Sequence, residues 1–202
     1  MGRRLARLLL DKGYAVRALV RKGSEDKIPA GAEIFLGNVL DASTYSAAFE
    51  GISMVIHLVG VSHPSPKKKE LFRTIDLESV KQLLKAAAGS KLKQLIYVSV
   101  AQTPSGIMKE YQHARAEAEE AIRQSGIPHT FIRPWYVAGP GHYWPLFLLP
   151  AYALLKLIPA TREKAMAFDL VYLPQMMRAF LDAVKHEPVA ERCYEVADIR
   201  RI

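Results

Sequence analysis

Two arginines open this chain where cations are least welcome. Leu5, Leu8 and Leu9 recur at helical spacing and put Arg3 and Arg4 in the first turn of a helix, where the macrodipole disfavours positive charge. An anion bound at that terminus would offset the conflict; the alternative is that both long side chains simply reach water. The other basic residues gather at Arg7, at Arg21-Lys22, at Lys67-Lys68-Lys69 and at Arg200-Arg201. No cluster alternates with stacking aromatics or sits in a nucleic-acid module, so nucleic acid is not an expected partner. His57 lies inside an apolar run and reads as a core or strand-end histidine. His63, His113, His129, His142 and His186 show no helical or paired metal spacing, so no metal is expected. A single cysteine, Cys193, excludes an internal disulfide and a multi-cysteine zinc site. It points to a reducing compartment, and the expected location is cytoplasmic.

The 202 residues carry 28 Lys+Arg against 20 Asp+Glu, a formal net charge of +8. That balance suits a protein holding a phosphate-rich cofactor as well as one binding an anionic surface. Half the residues are hydrophobic and 24% are charged, which excludes a disordered, collagen-like or coiled-coil chain. Met1-Gly2-Arg3-Arg4 leads into a charged amphipathic helix rather than a signal peptide. The most apolar run, Trp144 to Ile158, is too short to span a bilayer and contains Pro145, Pro150 and Lys156. A soluble protein is expected.

Alternation organises the chain. After the first helix, closed at Gly13, the pattern predicts strands over Tyr14–Val20, Glu33–Leu36, Met54–Val59, Gln94–Val100, His129–Ile132 and Cys193–Val196. Between them, Val80, Leu83, Leu84 and Ala87 form one helical stripe, with Asp76 available near its start. Ala114, Ala118, Ala121 and Ile122 form a second stripe, stopped by Gly126 and Pro128. Met177, Phe180, Leu181 and Val184 form a third. Strands alternating with helices predict an α/β fold with a doubly wound, mostly parallel sheet and helices on both faces. Ligands of such sheets sit beyond the carboxyl ends of the strands. One domain over 1–202 is expected, with 135–170 as a small, proline-broken cap. A doubly wound sheet ordinarily begins with a strand and a glycine-rich turn before its first helix; here Gly2 is the only glycine near that place.

The runs GRRLARLLLDKGYAVRALVRKGS, GNVLD, VIHLVG, QLIYVSV and EYQHARAEAEEAIRQSGIPHTFIRPWYVAGPG together resemble short-chain dehydrogenase/reductases of the extended and atypical kinds. The resemblance is to the NAD(P)H-binding, sugar-epimerase-like and complex-I-accessory-subunit-like branch that includes the NmrA-like redox sensors, and it covers Gly2 to about Ala197. It implies a Rossmann-type fold whose first strand and most of whose glycine turn are missing ahead of Gly2, with Gly2 as the last glycine of that turn.

Roles follow from the resemblance residue by residue. Arg21, after the second family strand, stands where an acidic residue would hold the ribose of NAD; with Lys22 it implies NADP(H) in preference to NAD(H). Asn38 and Val39 stand at the adenine contact, where the family usually has an aspartate. Leu58, Val59 and Gly60 end the central strand where backbone approaches the cofactor. Pro134, Trp135 and Val137 pass the nicotinamide face. Family catalysis uses a serine, a tyrosine and a lysine four residues later. Ser99 and Tyr111 match, whereas Arg115 replaces the lysine. The arginine could still lower the Tyr111 pKa, although its fork geometry differs and its i, i+4 spacing to Glu119 also suits a helix-surface pair. The implied activity is hydride transfer between NADP(H) and a small, apolar carbonyl or alcohol substrate. The alternative is a non-catalytic dinucleotide-binding sensor or accessory subunit. The Trp135–Ile158 segment, with its Trp, Tyr and Phe beside many leucines, first reads as packing over the sheet. The alternatives are a substrate cap favouring an apolar or aromatic substrate, or a patch, centred on 144–158, that meets a protein partner or a peripheral membrane.

Overall fold

The computed structural model describes residues 1–61, 64–106 and 108–202; His63 lies outside the described residues. The chain opens with helix α1 (Gly2–Asp11), turns at Gly13 with φ +84°, and enters β1 (Arg17–Val20). Next come β2 (Glu33–Leu36) and β3 (Met54–His57), followed by a continuous helical run: a short α2 (Lys69–Leu71), a π-helical stretch Phe72–Leu77, and α3 (Glu78–Ala86). Then β4 (Gln94–Val98), α4 (Lys109–Gln124) and β5 (His129–Ile132) form the middle of the fold. Among the described residues every strand pair is parallel, each reached by a crossover connection.

The sheet is divided. One part pairs β1 with β2, Arg17 opposite Glu33 and Val20 opposite Leu36. The other runs β3–β4–β5–β8, where β8 is Glu191–Tyr194. Among the described residues no ladder joins β1 to β3, so each has an unpaired edge. The consequence shows in burial. Leu95, Ile96, Tyr97, Phe131 and Ile132, on β4 and β5, are fully buried, whereas Met54, Val55 and Ile56 on β3 are only half-buried. Leu19, Ile34 and Leu36 of the two-stranded part are exposed.

Alternate residues of β4 and β5 face two apolar layers, as period-two geometry dictates. Ile96 and Ile132 pack with Leu5 and Leu9 of α1 and with Met176, Ala179 and Phe180. Leu95, Tyr97 and Phe131 pack in the other layer with Leu77, Val80 and Leu83 and with Ala118 and Ile122 of α4. This is the doubly wound arrangement with helices on both faces.

The segment 135–170 is more regular than its prolines suggest. It holds β6 (Tyr136–Ala138), a 3-10 turn Trp144–Leu148, α5 (Leu149–Leu157) and α6 (Pro159–Ala167) before β7 (Leu170–Tyr172) pairs with β6. Pro150 and Pro159 fall in the first helical positions, where a missing N–H costs nothing and the fixed φ is already helical. They start helices rather than break them. The chain ends with α7 (Leu173–Lys185), β8 and a short α8 (Val196–Arg201). The last strand therefore stops at Tyr194, and Val196 belongs to a helix.

Candidate dinucleotide and substrate site

Because the strands are parallel, their carboxyl ends share a side. Arg21 follows β1, Gly37-Asn38 follows β2, Leu58-Val59-Gly60 follows β3, Ser99 follows β4 and Arg133-Pro134 follows β5. The N-terminus of α1 reaches the same edge, since a Cβ on Gly2 would lie 3.6 Å from Leu58 Cδ1. That is an ordinary contact, so no steric reason inside the chain requires glycine at position 2. Arg3 and Arg4 are exposed.

Arg21 and Lys22 are exposed and enter no ion pair among the described residues. Asn38 builds the loop after β2: its Oδ1 accepts from Leu40 N at 3.1 Å, and its own N–H donates to Thr44 Oγ1 at 2.9 Å. The carbonyl oxygen expected to face adenine is thus engaged by the loop itself. Val39 offers its backbone oxygen to the Tyr45 hydroxyl at 3.4 Å. Pro134 is buried and its carbonyl accepts from Ala101 N at 3.1 Å. The Trp135 ring packs against Phe168 at 4.5 Å, and Val137 lies in β6 opposite Val171.

The centre of the site is Arg115. Its guanidinium is buried, 2.5 Å from Asp76 Oδ1. From there Nη1 donates to the Tyr97 hydroxyl at 3.0 Å and to Val98 O at 2.8 Å, while Nη2 reaches Val59 O at 3.4 Å. Asp76 Oδ2 accepts from Val61 N at 3.0 Å. One buried ion pair therefore ties the carboxyl end of β3 to that of β4. Desolvation works to lower the Arg115 pKa, but Tyr111, Tyr97 and Asp76 overcome it and leave it raised. The arginine is the fixed charge of the pair.

This overturns the helix-surface reading of Arg115. Glu119 pairs instead with Arg133 and Arg123. It also overturns the reading of Asp76 as a helix-start residue, because helix already begins upstream and Asp76 is buried inside the π-helical stretch. Gly60 has a reason of its own: a Cβ there would fall well inside contact distance of Arg115 Nη2, 3.3 Å from Cζ and 3.0 Å from Asp76 Oδ1. The group it would crowd is thus a side chain of this protein.

Tyr111 stands in the first turn of α4, half-buried, with its ring 5.0 Å from Phe72 and 5.3 Å from Arg115 Cζ. A cleft of about 170 Å³ opens beside it, lined by Lys69, Phe72, Met108, Lys109, Glu110 and Tyr111 among others. Ser99 is 2% exposed and its Oγ has no hydrogen-bond partner. A buried hydroxyl left unpaired is costly, so Ser99 is a place where a polar ligand atom would be welcome.

Sequence reasoning missed Gln112, whose Nε2 donates to Ala101 O and Thr103 O at 2.7 Å each while Oε1 accepts from Ser105 N. It fastens the loop after Ser99 to the start of α4. No periodicity marks it. His57 is buried as expected, its Nε2 3.1 Å from Ser79 Oγ, and the described residues hold no cluster of metal-ligating side chains.

A parallel doubly wound sheet with its ligand edge at the carboxyl ends of the strands is the arrangement of dinucleotide-binding α/β proteins, among others. The chain belongs to the NAD(P)H-binding family, whose sequence signature matches residues 1–140. Among curated relatives, it is 31% identical over 144 residues to an uncharacterised sugar epimerase of Bacillus subtilis, YhfK, covering 66% of each. It is 26% identical over 135 residues to the photosystem II assembly factor Ycf39 of Cyanophora paradoxa, covering 66% of this chain and 41% of that protein. The chain thus spans between two fifths and two thirds of these relatives' length.

Solved structures share the fold. The UDP-glucose 4-epimerase of Thermus thermophilus, complexed with NAD, matches with a TM-score of 0.69 at 17% identity, covering 98% of this chain and 77% of that one. The enzyme WbmH of Bordetella bronchiseptica, complexed with NAD+, matches at 0.68 and 16% identity, covering 96% and 71%. No helix among the described residues is long and apolar enough to cross a membrane.

Proposed function

We propose that this protein binds NADP(H) across the carboxyl edge of its sheet and acts as an oxidoreductase on a small, apolar carbonyl or alcohol. The observation that carries the reading is the buried, unpartnered Ser99 hydroxyl at the end of β4, with Tyr111 following at the start of α4. The residues present suit a dinucleotide in several respects. The N-terminus of α1 lies at that edge beside Leu58, and a helix start suits a phosphate. Arg21 and Lys22 supply positive charge for a 2′-phosphate and no carboxylate intervenes before Glu25. Hydride transfer is the chemistry that the dinucleotide supplies when bound. Ser99 Oγ orients the substrate oxygen, and the Tyr111 hydroxyl gives or takes its proton. Arg115 Cζ lies 5.3 Å from the Tyr111 ring centre and, with Phe72, holds that ring in place. The domain is read as one unit over 1–202, with 135–170 covering the substrate side.

A second reading is favoured by the Asp76–Arg115 pair. An arginine drawn into the protein by a buried carboxylate cannot reach a ribose as a lysine would. A dinucleotide-binding sensor or accessory subunit needs no such reach. Titrating the purified chain with NADPH and NADH by protein fluorescence, then following NADPH absorbance over a panel of small aldehydes and ketones, separates the readings. The enzyme reading expects consumption that Tyr111→Phe abolishes. Tight NADPH binding with no consumption across the panel supports the sensor. Absence of binding to either dinucleotide overturns both.

A further inference from the structure

The 143–158 segment exposes more large apolar surface than any other part of the described chain. Phe147 is 87% exposed, Leu157 80% and Leu154 62%, with Tyr143, Trp144 and Ile158 also open to solvent. A folded chain has no internal reason to hold a phenylalanine and two leucines in water, and exposed large apolar residues concentrated in one segment mark a surface that meets something apolar.

Its mounting is firm. Pro145 is buried beneath the 3-10 turn, and the Trp144 ring meets Tyr136 edge-on at 5.2 Å and His142 at 5.9 Å. Tyr136 continues to Trp135 and Trp135 to Phe168. At the other end Lys156 and Arg200 both pair with buried Asp169. The exposed residues therefore sit on a braced wedge.

Charge selects the occupant. From His142 to Arg162 there is no acidic residue; Lys156 is paired with Asp169, which leaves Arg162 and Lys164 beside the wedge against Glu163. Arg162 and Lys164 are exposed. Aromatic rings with a polar edge, apolar tips and flanking cations on a chain of net charge +8 match an anionic lipid surface. We propose that this wedge docks the protein peripherally onto anionic bilayers. Phe147, Leu154 and Leu157 enter the boundary between headgroups and acyl chains, Trp144 and Tyr143 lie at headgroup level, and Arg162 and Lys164 meet the lipid phosphates.

The test is flotation of the full chain with phosphatidylcholine vesicles with and without phosphatidylglycerol, at low and high salt. Trp144 emission is read in parallel. The proposal expects flotation with the anionic vesicles, weakened by salt, and a blue shift that Trp144→Phe removes. The paired substitution Phe147→Glu with Leu157→Glu is expected to lower the vesicle-bound fraction by about tenfold or more. Both sites are exposed, and an unchanged circular-dichroism melt verifies that the variant folds. No flotation at low salt overturns the proposal. So does binding that the paired variant retains, since net charge would then suffice. Concentration-dependent self-association abolished by the same variant, without vesicle binding, assigns the face to a second copy and overturns it too.

Discussion

The Arg115 guanidinium and the Asp76 carboxylate form a buried ion pair, 2.5 Å apart, that joins α4 to the π-helical stretch before α3. Removing one partner strands the other charge away from water. Asp76→Ala is therefore expected to destabilise the chain by about 3–5 kcal/mol. The double change Asp76→Ala with Arg115→Met is expected to cost less than the sum of its parts. Urea unfolding of the three variants checks this; a loss below about 1 kcal/mol for Asp76→Ala would place the pair among surface bridges.

Gly60 owes its identity to that pair. An added methyl would meet a guanidinium that Asp76, Tyr97 and Val98 hold in place. The far end of a free arginine would swing away; this one cannot without breaking its partners. Gly60→Ala is expected to cost about 1–3 kcal/mol in the native background and much less beside Arg115→Met. Equal costs in the two backgrounds would mean that the crowding lies elsewhere.

The strands β4 and β5 were legible because continuous apolar runs mark strands covered on both faces, and Ala114, Ala118 and Ile122 mark their helix in the same way. The family signature and the resemblance agree on the cofactor class. What escaped was whatever depends on distant residues meeting. Asp76 looks locally like a helix start, and only the fold brings Arg115 to it. Pro150 reads locally as an interruption, although the same residue type opens a helix at its first positions. Gln112 has no local pattern at all, because its partners lie in an irregular loop.

Cofactor choice is expected to turn on Arg21, exposed at the end of β1. A glutamate there would bond ribose hydroxyls and repel a 2′-phosphate. Arg21→Glu is expected to weaken NADPH binding by about tenfold or more, equal to about 1.4 kcal/mol, and to leave NADH binding equal or tighter. Dissociation constants from fluorescence titration decide it; a parallel loss for both dinucleotides would mean that the arginine only supports the loop.

Stability is expected to be uneven because the sheet is divided. The β1–β2 pair has two strands and exposed Leu19, Ile34 and Leu36, and pairs of that size are marginal alone. Amide hydrogen exchange is expected to protect Ile96–Val98 and Thr130–Ile132 at least about a hundredfold more than Ala18–Val20. Uniform protection across these strands would show that the two parts unfold as one.

Acid is expected to weaken the fold through His57. Burial, with Arg115 second, lowers its pKa from 6.5 to about 3. Ser79 Oγ donates to Asp76 O at 3.0 Å, which leaves its lone pair for His57 Nε2–H and suits a neutral ring. The unfolded chain therefore binds a proton that the folded chain refuses. Stability from this residue is whole above pH 6.5 and declines as pH falls through the window from 6.5 to 3. The loss between pH 7 and pH 5 is about 2 kcal/mol. Glu191, whose pKa is lowered to about 2 chiefly by its hydrogen bond from Arg123, acts only below its ordinary 4.5, whereas Asp76, whose pKa burial raises, works in the opposite sense to His57 as it takes up its proton. Urea unfolding at the two pH values, on the native chain and on His57→Phe, reads the difference directly. The phenylalanine variant is expected to lose most of the pH dependence, and a variant that keeps it would move the acid sensitivity to another group.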